Sequence, residues 1–191
     1  MSDARLRALG RSAPLTPEEE LDLLRARLRE GELTSAALEV AAYCEHPAAL
    51  TLLPEAVVGP EEAKAFVWGL ARWGKALVIR AGWLAACLLA EGRQLREPAA
   101  IVSALDAVEA WLADSEAPVP PAPELTQSGA FDALLVLPLV ALGQRLHGLD
   151  QDAVRTVATV VDVAQGLEHG ADLRAGLAAW ALSTQAFRDR R

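Results

Sequence analysis

Residues 75–91 read KALVIRAGWLAACLLAE, and apart from Lys75 and Arg80 they are apolar nearly all round at the helical period. A helix with no polar face is covered by its neighbours, so this stretch predicts a central helix in an all-α protein. Arg80 interrupts the run, and the other long apolar stretch, Ala133–Gly143, is too short to cross a bilayer. The rest of the chain supports the same fold class. Its 39 alanines and 32 leucines make up 71 of 191 residues, against three Phe and one Tyr. An all-β fold would need more Val, Ile, Thr and aromatics, whereas Ala and Leu lose little on entering a helix. At 52% apolar and 23% charged, the chain is too apolar to be disordered and long enough for a sizeable core.

Working outward, the punctuation is that of helices. Thr16-Pro17-Glu18-Glu19-Glu20 supplies an N-cap, a proline at the first helical position and acids in the first turn. Leu21, Leu24 and Leu28 form the expected buried stripe of this first helix. Thr34 opens a second helix through Glu45, with Leu38, Ala41 and Ala42 inward, and Pro47 starts a short piece ending near Pro54. A helix from Pro60 to Trp73 turns Ala63, Phe66, Val67 and Leu70 to the core. Gly74 breaks it before the central helix, one long helix to Ala90 being the alternative. Pro98 starts the next, with Ile101, Ala104, Leu105, Val108, Trp111 and Leu112 on one face. Pro118, Pro120, Pro121 and Pro123 then mark an extended connector. Residues 129–147 predict a helix kinked at Pro138. Asp150 caps 151–168, with Val154, Val157, Ala158 and Val161 inward. Asp172 caps the last helix, with Leu173, Leu177, Trp180 and Phe187 inward.

The expected architecture is therefore all-α, an irregular helical bundle or a short stack of antiparallel helix pairs, with eight or nine helices. Residues 1–113 form an N-terminal helical part, 114–128 the proline-rich connector, and 129–191 a C-terminal three-helix part packed with the first as a single domain. No repeat of fixed period is visible in the residues.

Eighteen basic and 26 acidic side chains give a net charge of −8. The longest basic cluster is Arg188-Asp189-Arg190-Arg191, so nucleic-acid binding is not expected. An acidic surface suits a basic protein partner met by electrostatic steering. Met1–Gly10 is charged and lacks the apolar core of a signal peptide, which with the short apolar runs predicts a cytoplasmic protein with no membrane contact. Cys44 and Cys87 sit among alanines and leucines, where a thiol behaves as a small hydrophobe.

No catalytic, cofactor-binding or metal constellation emerges. His147 and His169 precede glycines at predicted helix ends, where the dipole accounts for them. His46 and Cys44 could make at most half a metal site, with no second pair to complete it. Ser128 and Thr34 read as caps, and the Gly143–Gly148 spacing lacks the lysine and hydroxyl of a phosphate loop. The carboxylate pairs Glu61/Glu62, Asp106/Glu109 and Asp150/Asp152 belong to helix starts or solvated faces.

Trp68 stands out. It lies about 200° round the helix from Phe66 and shares a face with Glu61, Ala65 and Arg72. A tryptophan beside an arginine on a charged face is the composition of an interface centre. Trp68, Arg72 and Glu61 are thus the candidate partner-binding residues, the alternative being that another helix, such as the N-terminal one, covers this side.

The segment Gly31–Ala49, GELTSAALEVAAYCEHPAA, resembles a helical element of uncharacterised bacterial alanine- and leucine-rich helical proteins, where the pattern G-E-L-x-x-x-x-L-E-x-A-A-Y-x-x-H-P-A-A is typical. Phe66–Ala90, with Trp73-Gly74 and the alanine-rich run around Arg80, resembles a later block. So does Ala104–Leu112, with its Glu109-Ala-Trp111-Leu112 ending. The resemblance is confined to residues 31–112. It implies an all-α fold and, in some relatives, a setting beside repeat arrays or among toxin-immunity genes. It implies no catalytic residue.

The function expected from these observations is a non-enzymatic protein-protein interaction module, an adaptor or an immunity-type neutralising partner. The alternatives are a helical small-molecule binder or enzyme with a pocket near the kinked helix 129–147, and a subunit of a larger complex.

Overall fold

The computed structural model describes residues 15–91, 93–114, 118–119, 121–123, 130–143 and 152–183. Its regular structure is helical throughout, with ten α-helices and no strand among the described residues. They are α1 (Pro17–Arg29), α2 (Ser35–Tyr43), α3 (Pro47–Leu52), α4 (Ala63–Leu70), α5 (Lys75–Ala90), α6 (Pro98–Ala113), α7 (Ala130–Leu135), α8 (Leu137–Gly143), α9 (Asp152–Gly166) and α10 (Gly170–Leu182). The all-α expectation holds. The count exceeds the expected eight or nine because the helix read over 129–147 is two helices. Pro138 has no N–H to offer the Leu134 carbonyl. Leu139 and Val140 donate instead to the Val136 carbonyl, at 3.1 and 3.2 Å, and the axis breaks there.

Two compact units are distinguished, the residues to Val58 together with those from Ala178, and Gly59–Leu177. In the first unit α3 packs against α1 and α2. The Thr16 hydroxyl accepts from the Glu19 N–H at 3.3 Å while the Glu19 carboxylate accepts from the Thr16 N–H at 2.8 Å, closing the capping box. That contact holds the Glu19 carboxyl below its ordinary range. The leucine stripe of α1 is only partly buried: Leu24 is enclosed, Leu21 is half-buried and Leu28 is 40% exposed. Its partner α3 has six residues against thirteen in α1, too few to cover the whole stripe.

The turn from α2 to α3 is a Schellman motif, in which Glu45 takes φ 67°. The Glu45 N–H reaches the Ala42 carbonyl at 2.9 Å and the His46 N–H reaches Ala41 at 3.0 Å. His46 then caps α3, its Nδ1 accepting from the Ala49 N–H at 3.4 Å and its Nε2 lying 3.3 Å from Glu20. The same junction recurs between α9 and α10. Glu168 also takes φ 67°, the Glu168 and His169 N–H groups reach Gln165 and Ala164, and the His169 carbonyl accepts the first bond of α10. His169 therefore opens a helix rather than closing one. The recurrence is one of backbone conformation at a Glu-His pair, which no fixed sequence period would reveal.

In the second unit α5 is central. It packs against α4, α6, α7, α8 and α9, and Leu77, Val78, Ile79, Ala81, Ala85 and Leu89 are buried. The expected break at Gly74 is present, with φ 102° and ψ 171° between a 3-10 turn (Ala71–Trp73) and α5. That is a conformation glycine adopts far more readily than other residues. Gly82 lets α5, α8 and α9 approach closely: a Cβ there would lie 3.2 Å from both Val157 methyls and 3.5 Å from Pro138 Cγ. His147, Ser128, Asp150 and Phe187 lie outside the described residues.

Candidate interaction surface

The local build of α4 begins with Glu62. Its two carboxylate oxygens accept from the Lys64 and Ala65 N–H groups at 3.1 and 2.8 Å, so the helix starts at Ala63 rather than at Pro60. Ala63, Phe66, Val67 and Leu70 are buried as the spacing predicts. The outward side carries exposed Lys64 and Ala65 and half-buried Trp68.

The three candidate residues are placed differently. Trp68 lies on α4 itself, Glu61 is exposed in the bend before the cap, and Arg72 is exposed in the 3-10 turn beyond. Glu61 is thus not on the helix, and the tighter 3-10 winding turns Arg72 some way past Trp68. The Arg72 guanidinium stacks on a different tryptophan, 3.7 Å from the Trp73 ring centroid.

Two buried polar side chains escaped the sequence reading. Arg174, at the start of α10, is 9% exposed. It donates to the Gly59 carbonyl at 3.2 Å and the Pro60 carbonyl at 2.6 Å, and lies 4.4 Å over the Phe66 ring. It fixes the loop leading into Glu61 and α4. Asp132, on α7, is 4% exposed and accepts from the Arg96 and Glu97 N–H groups at 2.9 and 3.3 Å, just ahead of α6. Nothing in a single sequence marks either residue, because their partners are backbone groups far along the chain.

The remaining tryptophans of this unit are already engaged. Trp83 donates to the Leu105 carbonyl at 3.0 Å and carries Arg80 at 4.3 Å from its ring. Lys75 lies 5.9 Å from the Trp111 ring and donates to the Leu142 carbonyl at 2.5 Å. Burial lowers the pKa of Lys75 from its ordinary value. Burial also works against the charge of Arg80, which Glu109 supports.

Burial pushes the Cys87 thiol up to about 12, Arg80 opposing and Glu109 adding to the rise. A thiol that stays protonated is a poor nucleophile, and Cys44 is buried as well. With Ellman's reagent at pH 8, the folded protein is expected to leave both thiols unreacted over the time in which the guanidinium-unfolded chain reacts fully. Because the folded Cys87 ionises later than the unfolded one, its contribution to stability is complete below about pH 9.0. That contribution is lost as pH rises toward 12.

Among the described residues no group of three His, Cys, Asp or Glu could hold a metal ion. No helix among them is long and apolar enough to cross a membrane. No family model matches the chain, and no curated protein or solved structure matches it.

Proposed function

We propose that the protein is a non-enzymatic protein-protein interaction module, an adaptor or a neutralising partner of the immunity type, whose contact surface centres on Trp68. The observation that carries this reading is a half-buried tryptophan on the outward side of α4, with its opposite side locked into the core through Phe66, Val67 and Leu70. A large aromatic on a rigid element loses little entropy on binding and contributes strongly at an interface centre. Arg174 adds preorganisation by fixing the entry to the helix. The net charge of −8 favours a basic protein at long range. The small-molecule alternative is less well supported, since its pocket would lie beside Pro138, where even a methyl on Gly82 meets Val157.

Trp68→Ala tests the reading. The variant is expected to stay folded with a loss of about 1–3 kcal/mol, because the indole is partly enclosed but lies outside the buried stripe. It is also expected to lose a protein that co-purifies with the wild-type chain from its native host. A chain that always purifies alone would sink the proposal. So would a Trp68→Ala variant that unfolds, as a core tryptophan would.

A further inference from the structure

We infer that Lys75 is an acylation site, its amine accepting the acyl group of a small acyl phosphate. The inference is independent of the Trp68 surface. Lys75 is the first residue of α5, where the partial positive charge of the helix end opposes an ammonium, and the first turn holds no acid to offset it. The side chain is half-buried between α6 and α8, with Nζ 5.9 Å from the Trp111 ring centroid and donating to the Leu142 carbonyl at 2.5 Å. That carbonyl is among the last four of α8, which have no donor within the helix. The charged residues on the elements that meet Lys75 are Arg72 in the 3-10 turn, Asp106 and Glu109 on α6, and Asp114 just beyond it, with none on α8. Burial is the effect that governs, and it holds the amine below its ordinary pKa.

This setting favours an amide over the other fates of an amine. When neutral, Nζ carries two N–H groups and a lone pair. One N–H serves the Leu142 carbonyl, which leaves the lone pair for attack. The lone pair forms a C–N bond to the acyl carbon, the C–O bond to phosphate breaks, and phosphate departs with that electron pair. The second amine proton passes to the departing phosphate. The amide is uncharged and keeps one N–H for Leu142, so it removes the ammonium that burial opposes without stranding the carbonyl. Little is lost at Trp111, because 5.9 Å is the outer limit of a cation-π contact. Alkylation would leave the nitrogen cationic, and a carbamate would set an anion beside the Leu142 oxygen.

The sequence contains two lysines, so the exposed Lys64 serves as an internal control. The full chain is treated with acetyl phosphate, and acetylation of each lysine is followed by peptide mass spectrometry. A lowered amine pKa raises the neutral fraction more than it lowers nucleophilicity, so at pH 7.5 Lys75 is expected to react about twofold faster than Lys64 or more. The ratio is expected to fall as pH rises to about 10, where ordinary lysine amines are increasingly neutral too. In the guanidinium-unfolded chain it is expected to be close to one. In Lys64→Arg, where Lys75 is the lone lysine, acetylation is expected to leave the thermal midpoint within about 2 °C.

Equal or slower reaction of Lys75 in the folded protein overturns the inference, because burial would then only hide the amine. So does a ratio that is unchanged by pH, or one that persists in the unfolded chain. A larger fall in the midpoint of acetylated Lys64→Arg also overturns it, by showing that the ammonium is needed where it sits.

Discussion

Gly82→Leu is expected to destabilise the protein by about 3 kcal/mol or more, the largest single effect anticipated here. A Cβ alone at this position would meet both Val157 methyls at 3.2 Å and Pro138 Cγ at 3.5 Å. The three further carbons of leucine would have to enter the space where α5, α8 and α9 meet, and only displacement of a helix could make room. Gly82→Ala is a calibrating control. Alanine gains up to about 1 kcal/mol of helix propensity, which offsets a crowding of a few tenths of an ångström, so a small net change is expected. Gly176→Ala provides the contrast. Its Cβ would come within 2.5 Å of Leu84 Cδ2, the tip of a flexible side chain that can turn away. Urea denaturation of the three variants reads the difference. If Gly82→Leu shifts the midpoint no more than Gly82→Ala, the close approach of α5, α8 and α9 is wrong.

Arg174→Met is expected to cost about 2–3 kcal/mol. Methionine preserves most of the side-chain volume and removes the burden of a desolvated charge, which by itself would favour the variant. It leaves the Gly59 and Pro60 carbonyls without the donors that reach them at 3.2 and 2.6 Å, and it removes the stacking on Phe66. The buried Gly59 carbonyl left without a donor outweighs the relief, while that of exposed Pro60 can turn to water. Arg174→Lys is expected to recover only part of the loss, because one ammonium cannot reproduce a planar fork bridging two successive carbonyls. Thermal melts of both variants decide it, and a methionine variant as stable as the parent would show the tether to be dispensable.

The sequence revealed the helices where a local signal exists and fell short where the partner is distant. Thr16, Thr34 and Pro47 open helices where the cap chemistry says they should, and Gly74 interrupts where a left-handed residue is needed. The inward faces of α4 and α9 follow from the spacing of Phe66, Val67 and Leu70 and of Val154, Val157 and Val161. The start of α4 was misjudged by three residues because Pro60 is a standard helix opener, whereas its carbonyl is in fact engaged by Arg174 and the cap is supplied by Glu62. That error placed Glu61 and Arg72 on one ideal helix with Trp68. The core stripe of α1 was overestimated for a related reason: amphipathic spacing specifies a face but not the length of the helix laid against it. Trp68 is legible in the sequence as lying away from the Phe66 side of its helix, whereas its half-buried state depends on neighbours that the spacing does not identify.

The central position of α5 has a consequence in time as well as in space. Its cover is completed by α9, which begins roughly 60 residues after α5 ends. At a synthesis rate of about 5–20 residues per second, this central apolar helix waits ~3–12 s for the last of its cover. During that interval α5 can be shielded by α4, by α6, α7 and α8 as each emerges, and by whatever binds nascent apolar chains. The element at the centre of the second unit is thus exposed to misassociation while the chain is being made.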